Sequence, residues 1–162
     1  MKERDVTVSI SLGGSRDAVS AETESLLQAA KEAARKAYAP YSKFRVGAAA
    51  LLDNGEVVAA SNQENAAYPS GLCAERVTVF YANAKYPQAR VTRLLIYAET
   101  ERGAVVTPIS PCGACRQVLL EKETVQGSPI KVSLAGAAEM YNIQSIAHLL
   151  PLSFVPKSLV GE

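Results

Sequence analysis

The chain holds three cysteines, Cys73, Cys112 and Cys115, and their placement constrains the fold more than any other feature. Cys112 and Cys115 are three residues apart at the start of a predicted helix over 112–122, so both sulfurs face one side of its first turn. Cys73 opens another predicted helix, 73–86. A helix mouth carries unpaired N–H groups and the positive end of the dipole, which favour thiolate over thiol. If the three act together, the fold must bring two helix N-termini to one point. The number is odd, two of the three form a Cys-x-x-Cys, and the charged start Met1-Lys2-Glu3-Arg4-Asp5 is unlike a secretory leader. A disulfide framework is therefore a poor reading and a cytoplasmic protein the better one.

The surrounding pattern supplies a frame for two such helices. Residues 5–12 alternate apolar and polar as a half-buried strand does, ending at Gly13-Gly14. Ser20 is a plausible N-cap for a helix whose stripe is Leu26, Leu27, Ala30, Ala33, Ala34 and Ala37, and Pro40 should stop it. Runs 45–52 and 56–61, joined by Asp53-Asn54-Gly55, read as a hairpin with a positive-φ residue in its turn. Beyond it helix and strand alternate: helix 73–86, strand 91–98, helix 112–122, strand 130–134 and a short helix 145–150 stopped by Pro151. An antiparallel hairpin followed by αβαβ predicts an α/β protein with a mixed sheet covered by helices. At 162 residues and 48% hydrophobic content the chain suits one domain, taken as 21–162, after an extension over 1–20. A formal net charge of +1 gives no basis for tracking a phosphate backbone, and no stretch approaches membrane-spanning length, so neither nucleic acid nor membrane is expected as a partner.

Three thiolates on one Zn²⁺ leave a coordination position for water or hydroxide, the pattern of a catalytic zinc, and one ion per chain is expected. The single histidine, His148, beside Leu149 and Leu150, reads as a packing or surface residue. Cys-x-x-Cys alone could be a redox pair. Cys73-Ala74-Glu75 followed, across residues 76–110, by Pro111-Cys112-Gly113-Ala114-Cys115 leaves no cysteine over, and it resembles the signature of zinc deaminases, with Glu75 as a non-ligating general acid and base. Three thiolates overcompensate the metal's charge. Arg76 is the candidate cation to hydrogen-bond their sulfurs and temper that excess.

Longer blocks sharpen the resemblance: Tyr38 to Ala49, Asn62 to Arg76, and Pro111 to Gln117 are similar to the small homotetrameric cytidine deaminases over about Ala37 to Phe154. The resemblance implies an α/β/α sandwich with a central mixed five-stranded sheet, and zinc-dependent deamination of cytidine and deoxycytidine in pyrimidine salvage. It implies that Phe44 packs on the base, that Asn62 and Glu64 hydrogen-bond the ribose 3′-hydroxyl with Ala66 beside them, and that the Ala74 N–H meets the base carbonyl. It further implies that the Ser110 carbonyl takes an amine hydrogen, and that Tyr68 and Phe154 reach a neighbouring subunit's site in a homotetramer. On their residue types alone, Phe44 and Phe154 read as core, and Asn62 and Glu64 as loop residues that solvation would satisfy equally well. About twenty residues precede the usual start, and Gln63 stands where the family often has an aliphatic residue. A nucleoside-antibiotic deaminase, a polynucleotide-editing deaminase and a non-catalytic zinc module are the competing readings. Asn62-Gln63-Glu64 argues against the first, the lack of a basic groove against the second, and Glu75 with an open metal position against the third.

Overall fold

The structure is a computed structural model that describes residues 7–8, 11–13 and 19–160. The first helix, α1 (Ala21–Arg35), starts where Ser20 Oγ accepts from the Thr23 N–H, with Glu22 and Glu24 at its positive end. It stops earlier than its apolar stripe suggests. Residues before a proline favour extended backbone, and the chain ahead of Pro40 is drawn into a parallel bridge between Tyr38 and Gln63.

Strands β2 (Arg45–Leu52) and β3 (Val57–Ser61) form the expected hairpin, with Gly55 at φ 85° in its turn. Helix α2 (Ala74–Lys85) and strand β4 (Val91–Thr100) follow, then a two-residue strand β5 (Gly103–Ala104), helix α3 (Gly113–Gln126) and strand β6 (Lys131–Ala135). Strand β4 runs antiparallel to β2 and parallel to β6. Parallel neighbours need a crossover, and α3 provides it, so its N-terminus follows the carboxyl end of β4, where open α/β sheets bind ligands.

A further strand, β7 (Met140–Ile143), not expected from the sequence, pairs antiparallel with β6. At four residues it is too short to show a period. Beyond it lies β1 (Ser11–Gly13), antiparallel to β7. Residues 5–6 and 9–10 of the expected first strand lie outside the described residues. Among those described, the sheet order is β1-β7-β6-β4-β2-β3 with β5 on β4. The five-stranded mixed sheet that the resemblance implies corresponds to β7-β6-β4-β2-β3, with β1 added beyond β7.

Helices cover both faces. Ala48, Ala50, Leu94 and Ile96 pack with Ala74 and Val79 of α2 and Leu119 of α3, whereas Ala49, Leu95 and Tyr97 pack with Leu26, Leu27, Ala30 and Ala34 of α1. Burial on both faces explains why β2 and β4 read as nearly unbroken apolar runs. Gly47 lets α1 approach: a Cβ there would lie 1.9 Å from the Ala30 carbonyl oxygen, an overlap that only movement of the helix could relieve.

The 3₁₀ turn Ile146–Leu149 takes the place of the predicted short helix, and Glu123 of α3 holds its start. The Glu123 carboxylate accepts from Ser145 Oγ (2.5 Å) and from the N–H groups of Ile146 (2.9 Å), Ala147 (3.3 Å) and Ile130 (2.7 Å). Glu123→Ala strips these donors of their acceptor and should cost about 2–4 kcal/mol. Urea unfolding checks this; a loss below about 0.5 kcal/mol would show that water replaces the carboxylate. A last short helix, α4 (Pro156–Val160), follows.

Candidate active site

Cys73 and Cys112 stand as the N-caps of α2 and α3, both extended in backbone and neither using its side chain to cap. The sulfurs are thus free to turn toward each other, and Cys115, one turn into α3, completes the set. Sγ–Sγ distances are 3.8 Å for Cys73–Cys112 and 3.4 Å for Cys112–Cys115, and all three sulfurs lie within 4.8 Å of one another. Tetrahedral ligation at a Zn–S length of about 2.3 Å requires sulfurs about 3.8 Å apart. The three cysteines fit a zinc ion. Cys115 is buried, Cys73 half-buried and Cys112 exposed, so the cluster is open on one side.

The electrostatics favour a thiolate at Cys73. Among the sulfurs themselves, the hydrogen bond from the Cys115 thiol is the chief cause that pulls Cys73 down to about 5; burial opposes it, and Cys112 and the Arg76 guanidinium assist. The same hydrogen bond, with burial, drives Cys115 up. Glu75, 5% exposed in the first turn of α2, is raised above the ordinary carboxylate range by burial, with the Cys73 thiolate adding to it. Arg76 donates weakly to the Gly71 carbonyl (3.4 Å). Desolvation works against its charge, and the facing Cys73 and Cys115 outweigh it. Its Nε is buried without a hydrogen-bond partner. The first main-chain bond of α2 runs from Val77 N–H to the Cys73 carbonyl, so the Ala74 N–H has no acceptor within the helix. His148 is not in the cluster; its Nδ1 is buried and unpaired.

A cavity of about 710 Å³ opens beside the cysteines, lined among others by Asn62, Glu64, Ala66, Tyr68, Cys73, Arg76 and Cys112. Phe44, Ser110 and Phe154 are not in its lining. A smaller cleft of about 340 Å³, lined by Tyr38, Pro40, Lys43, Arg45 and Glu101, contains none of the cysteines.

Asn62 and Glu64 turn out to shape the turn that carries Phe44. Asn62 Oδ1 accepts from the Val46 N–H (2.8 Å), and its Nδ2 donates to the Phe44 carbonyl (3.0 Å). Glu64 accepts from the N–H groups of Tyr41 (2.9 Å) and Ser42 (3.3 Å) and from the Ser42 hydroxyl, which in turn accepts from the Phe44 N–H (3.0 Å). The Ser42 hydroxyl chiefly, against partial desolvation, and then these amides hold the Glu64 carboxyl below its ordinary value. So fixed, the turn tolerates Lys43 at φ 56°, a conformation an L-residue adopts only at a cost. A carboxylate has about four lone-pair positions, so Glu64 keeps acceptor capacity toward the cavity, whereas the Asn62 amide has one hydrogen and one lone pair left.

Tyr68, on a 3₁₀ turn (Tyr68–Ser70), is 91% exposed, and Phe154, past Pro151, is 58% exposed. Ser110 is exposed, and its hydroxyl accepts from Arg116 (2.9 Å). Ser42, Arg116 and Gln117 stand inside the resembling blocks Tyr38 to Ala49 and Pro111 to Gln117 without a role of their own there, and Glu123 lies outside every block. For Arg116 and Gln117 the available signals were that block and their place directly after the last cysteine.

Residues 20–127 match the family described as the cytidine and deoxycytidylate deaminase zinc-binding region. A cytidine deaminase of Halalkalibacterium halodurans is 37% identical over 136 residues, covering 83% of this chain and 95% of that one. One of Mycobacterium tuberculosis is 47% identical over 92 residues, 57% of this chain and 65% of that one. Among solved structures, a cytidine deaminase of Burkholderia pseudomallei superposes with a TM-score of 0.66 at 38% identity, covering 81% of this chain and 98% of that one. With the sulfur cluster at the mouths of two helices and the matched region spanning both, the chain belongs to the family of the cytidine and deoxycytidylate deaminase zinc-binding region.

Proposed function

We propose that this chain deaminates free cytidine and deoxycytidine hydrolytically, giving uridine and deoxyuridine with release of ammonia, as a cytoplasmic step of pyrimidine salvage. The observation that carries the reading is the convergence of three sulfurs at the mouths of α2 and α3, with buried Glu75 next to one of them and a nucleoside-sized cavity on the open side. The catalytic unit is 21–162, with 1–20 as an extension. No helix among the described residues is long and apolar enough to cross a membrane.

Cys73, Cys112 and Cys115 hold the zinc, which when bound supplies a Lewis acid able to make water nucleophilic near neutral pH. Glu75 would take a proton from the attacking water and deliver it to the ring nitrogen, as the water oxygen becomes bonded to C4. It then carries the second water proton to the exocyclic nitrogen, so that the C4–N bond breaks and ammonia leaves, the ring keeping its proton as the N–H of uridine. A carboxyl raised by burial suits both directions of transfer. The Ala74 N–H receives the base carbonyl, the Ser110 carbonyl an amine hydrogen, Phe44 the face of the base, and Asn62 and Glu64, with Ala66 beside them, the ribose 3′-hydroxyl. Arg76 hydrogen-bonds the ligand sulfurs.

Incubation of the purified zinc-loaded protein with cytidine, deoxycytidine, blasticidin S and single-stranded DNA tests the substrate class. Equal amounts of uridine and ammonia from the nucleosides are expected. Turnover confined to blasticidin S or DNA would overturn the reading.

The same reading includes a homotetramer with shared sites, supported by exposed Tyr68 and Phe154, and by Phe80 and Tyr81, 46% and 52% exposed on α2. Glu75→Gln and Phe154→Ala chains, each nearly inactive alone, should regain activity when co-refolded, because some sites then draw Glu75 and Phe154 from different chains. No recovery in oligomers shown by mass spectrometry to be mixed would place Phe154 on its own chain's site.

A further inference from the structure

The first turn of α3 does more than present two cysteines. Arg116, next to Cys115, uses all three guanidinium nitrogens on separate acceptors: Nε donates to the Pro111 carbonyl (2.8 Å), one terminal nitrogen to the Leu149 carbonyl (3.0 Å) and the other to Ser110 Oγ (2.9 Å). Gln117 Nε2 donates to the Phe154 carbonyl (2.8 Å). Two consecutive residues thereby join three things: the helix mouth with Cys112 and Cys115, the Ser110-Pro111 segment before it, and the C-terminal stretch from Leu149 to Phe154. Neither segment belongs to a strand of the sheet, so no ladder fixes its position. A planar guanidinium with three separate acceptors sets position and orientation together, which a lysine, with one nitrogen, cannot. Two turns along the same helix, Glu123 accepts the N–H groups that start the 3₁₀ turn Ile146–Leu149, and Arg116 donates to the carbonyl that ends it. The turn leading to Phe154 is therefore gripped at both ends, each by the charge that suits that end of its dipole.

We infer that Arg116 and Gln117 are positioning residues of the deamination reaction. Arg116 sets the Ser110-Pro111 segment, and with it the Ser110 carbonyl, at a fixed distance from the metal-binding cysteines. Gln117 sets the main chain from which Phe154 projects. Neither touches the nucleoside; each acts through a group that does. This rests on the reading above, in which Ser110 and Phe154 face the substrate.

The test is a double-mutant cycle on the zinc-loaded protein, with zinc per chain, kcat and KM for cytidine, and hydrogen–deuterium exchange as readouts. Gln117→Ala should keep its zinc and raise KM about 3–10-fold with a smaller change in kcat, the effect of one lost hydrogen bond. Added to Phe154→Ala it should change nothing further, because it acts through that ring's placement. Arg116→Gln should lower kcat/KM by about 10–100-fold and speed exchange over 149–154 while leaving 116–126 protected, and Arg116→Lys should restore only part. Full multiplication of the Gln117→Ala defect onto Phe154→Ala, or parental kinetics in Gln117→Ala beside a defective Phe154→Ala, would overturn the positioning role of Gln117. Parental kinetics in Arg116→Gln would overturn that of Arg116. If Arg116→Gln does not fold, the Gln117 cycle decides the inference, since that contact lies at the surface. Parental kinetics in Phe154→Ala would instead locate the failure in the assignment of Phe154 to the substrate site, and the Gln117 role would fall with it.

Discussion

Replacing Glu75 with glutamine is expected to leave the zinc content at one per chain and to cut turnover of cytidine by at least ~10²–10⁴-fold, the range for loss of a general acid or base. The loss should lie at the upper end, because one carboxyl handles successive transfers. The amide fills nearly the same volume, so the mouth of α2 is not disturbed. Stability provides a second readout with a definite sign. Burial raises the Glu75 carboxyl in the folded state. Its contribution to folding is therefore fully present below the unfolded value of about 4.3 and is lost as pH rises through the folded value. At neutral pH ionisation works against the fold of the metal-free protein, and in that form Glu75→Gln should unfold at the same temperature as the parent or higher. Turnover within tenfold of the parent would assign the proton transfers to another group.

Removal of a ligand should have an equally large effect by a different route. Cys112 is exposed whereas Cys115 is fully buried, so Cys112→Ala takes a sulfur from the cluster with little loss of packing and separates metal loss from core damage. Two remaining thiolates do not hold zinc in the tetrahedral arrangement that three provide. The variant should purify with less than about a tenth of an equivalent of zinc and should show less than about 1% of parental activity, while its secondary structure by circular dichroism stays parental. Undiminished zinc in this variant, stoichiometric iron in the parent, or a Cys112–Cys115 disulfide would each contradict the assignment of the cluster.

What could be read from the sequence follows the range of the interactions involved. The cysteine spacing, the Asp53-Asn54-Gly55 turn and the stripe on α1 are local, and each carries its own period or turn chemistry. Strand β7 is legible only from its partners, since four residues held by β6 on one side and β1 on the other need no pattern of their own. The early end of α1 is likewise imposed from outside, by the bridge between Tyr38 and Gln63. The pairing of Asn62 and Glu64 with the Phe44 turn was hidden because most of their partners there are main-chain groups, which any residue offers. Arg116, Gln117 and Glu123 were hidden for the same reason. Arg116 reaches the Leu149 carbonyl at the end of a 3₁₀ turn and Gln117 the Phe154 carbonyl in irregular chain, and residue type at the acceptor gives no sign of it.

The central claim is that deamination depends on zinc held by Cys73, Cys112 and Cys115. It is tested most directly by stripping the protein with a chelator, returning zinc in measured steps, and following ammonia and uridine release from cytidine at each step. Activity should rise in proportion to bound zinc and level off at one ion per chain. Uridine formation that is complete in the stripped protein, or absent at one bound zinc per chain, would contradict it.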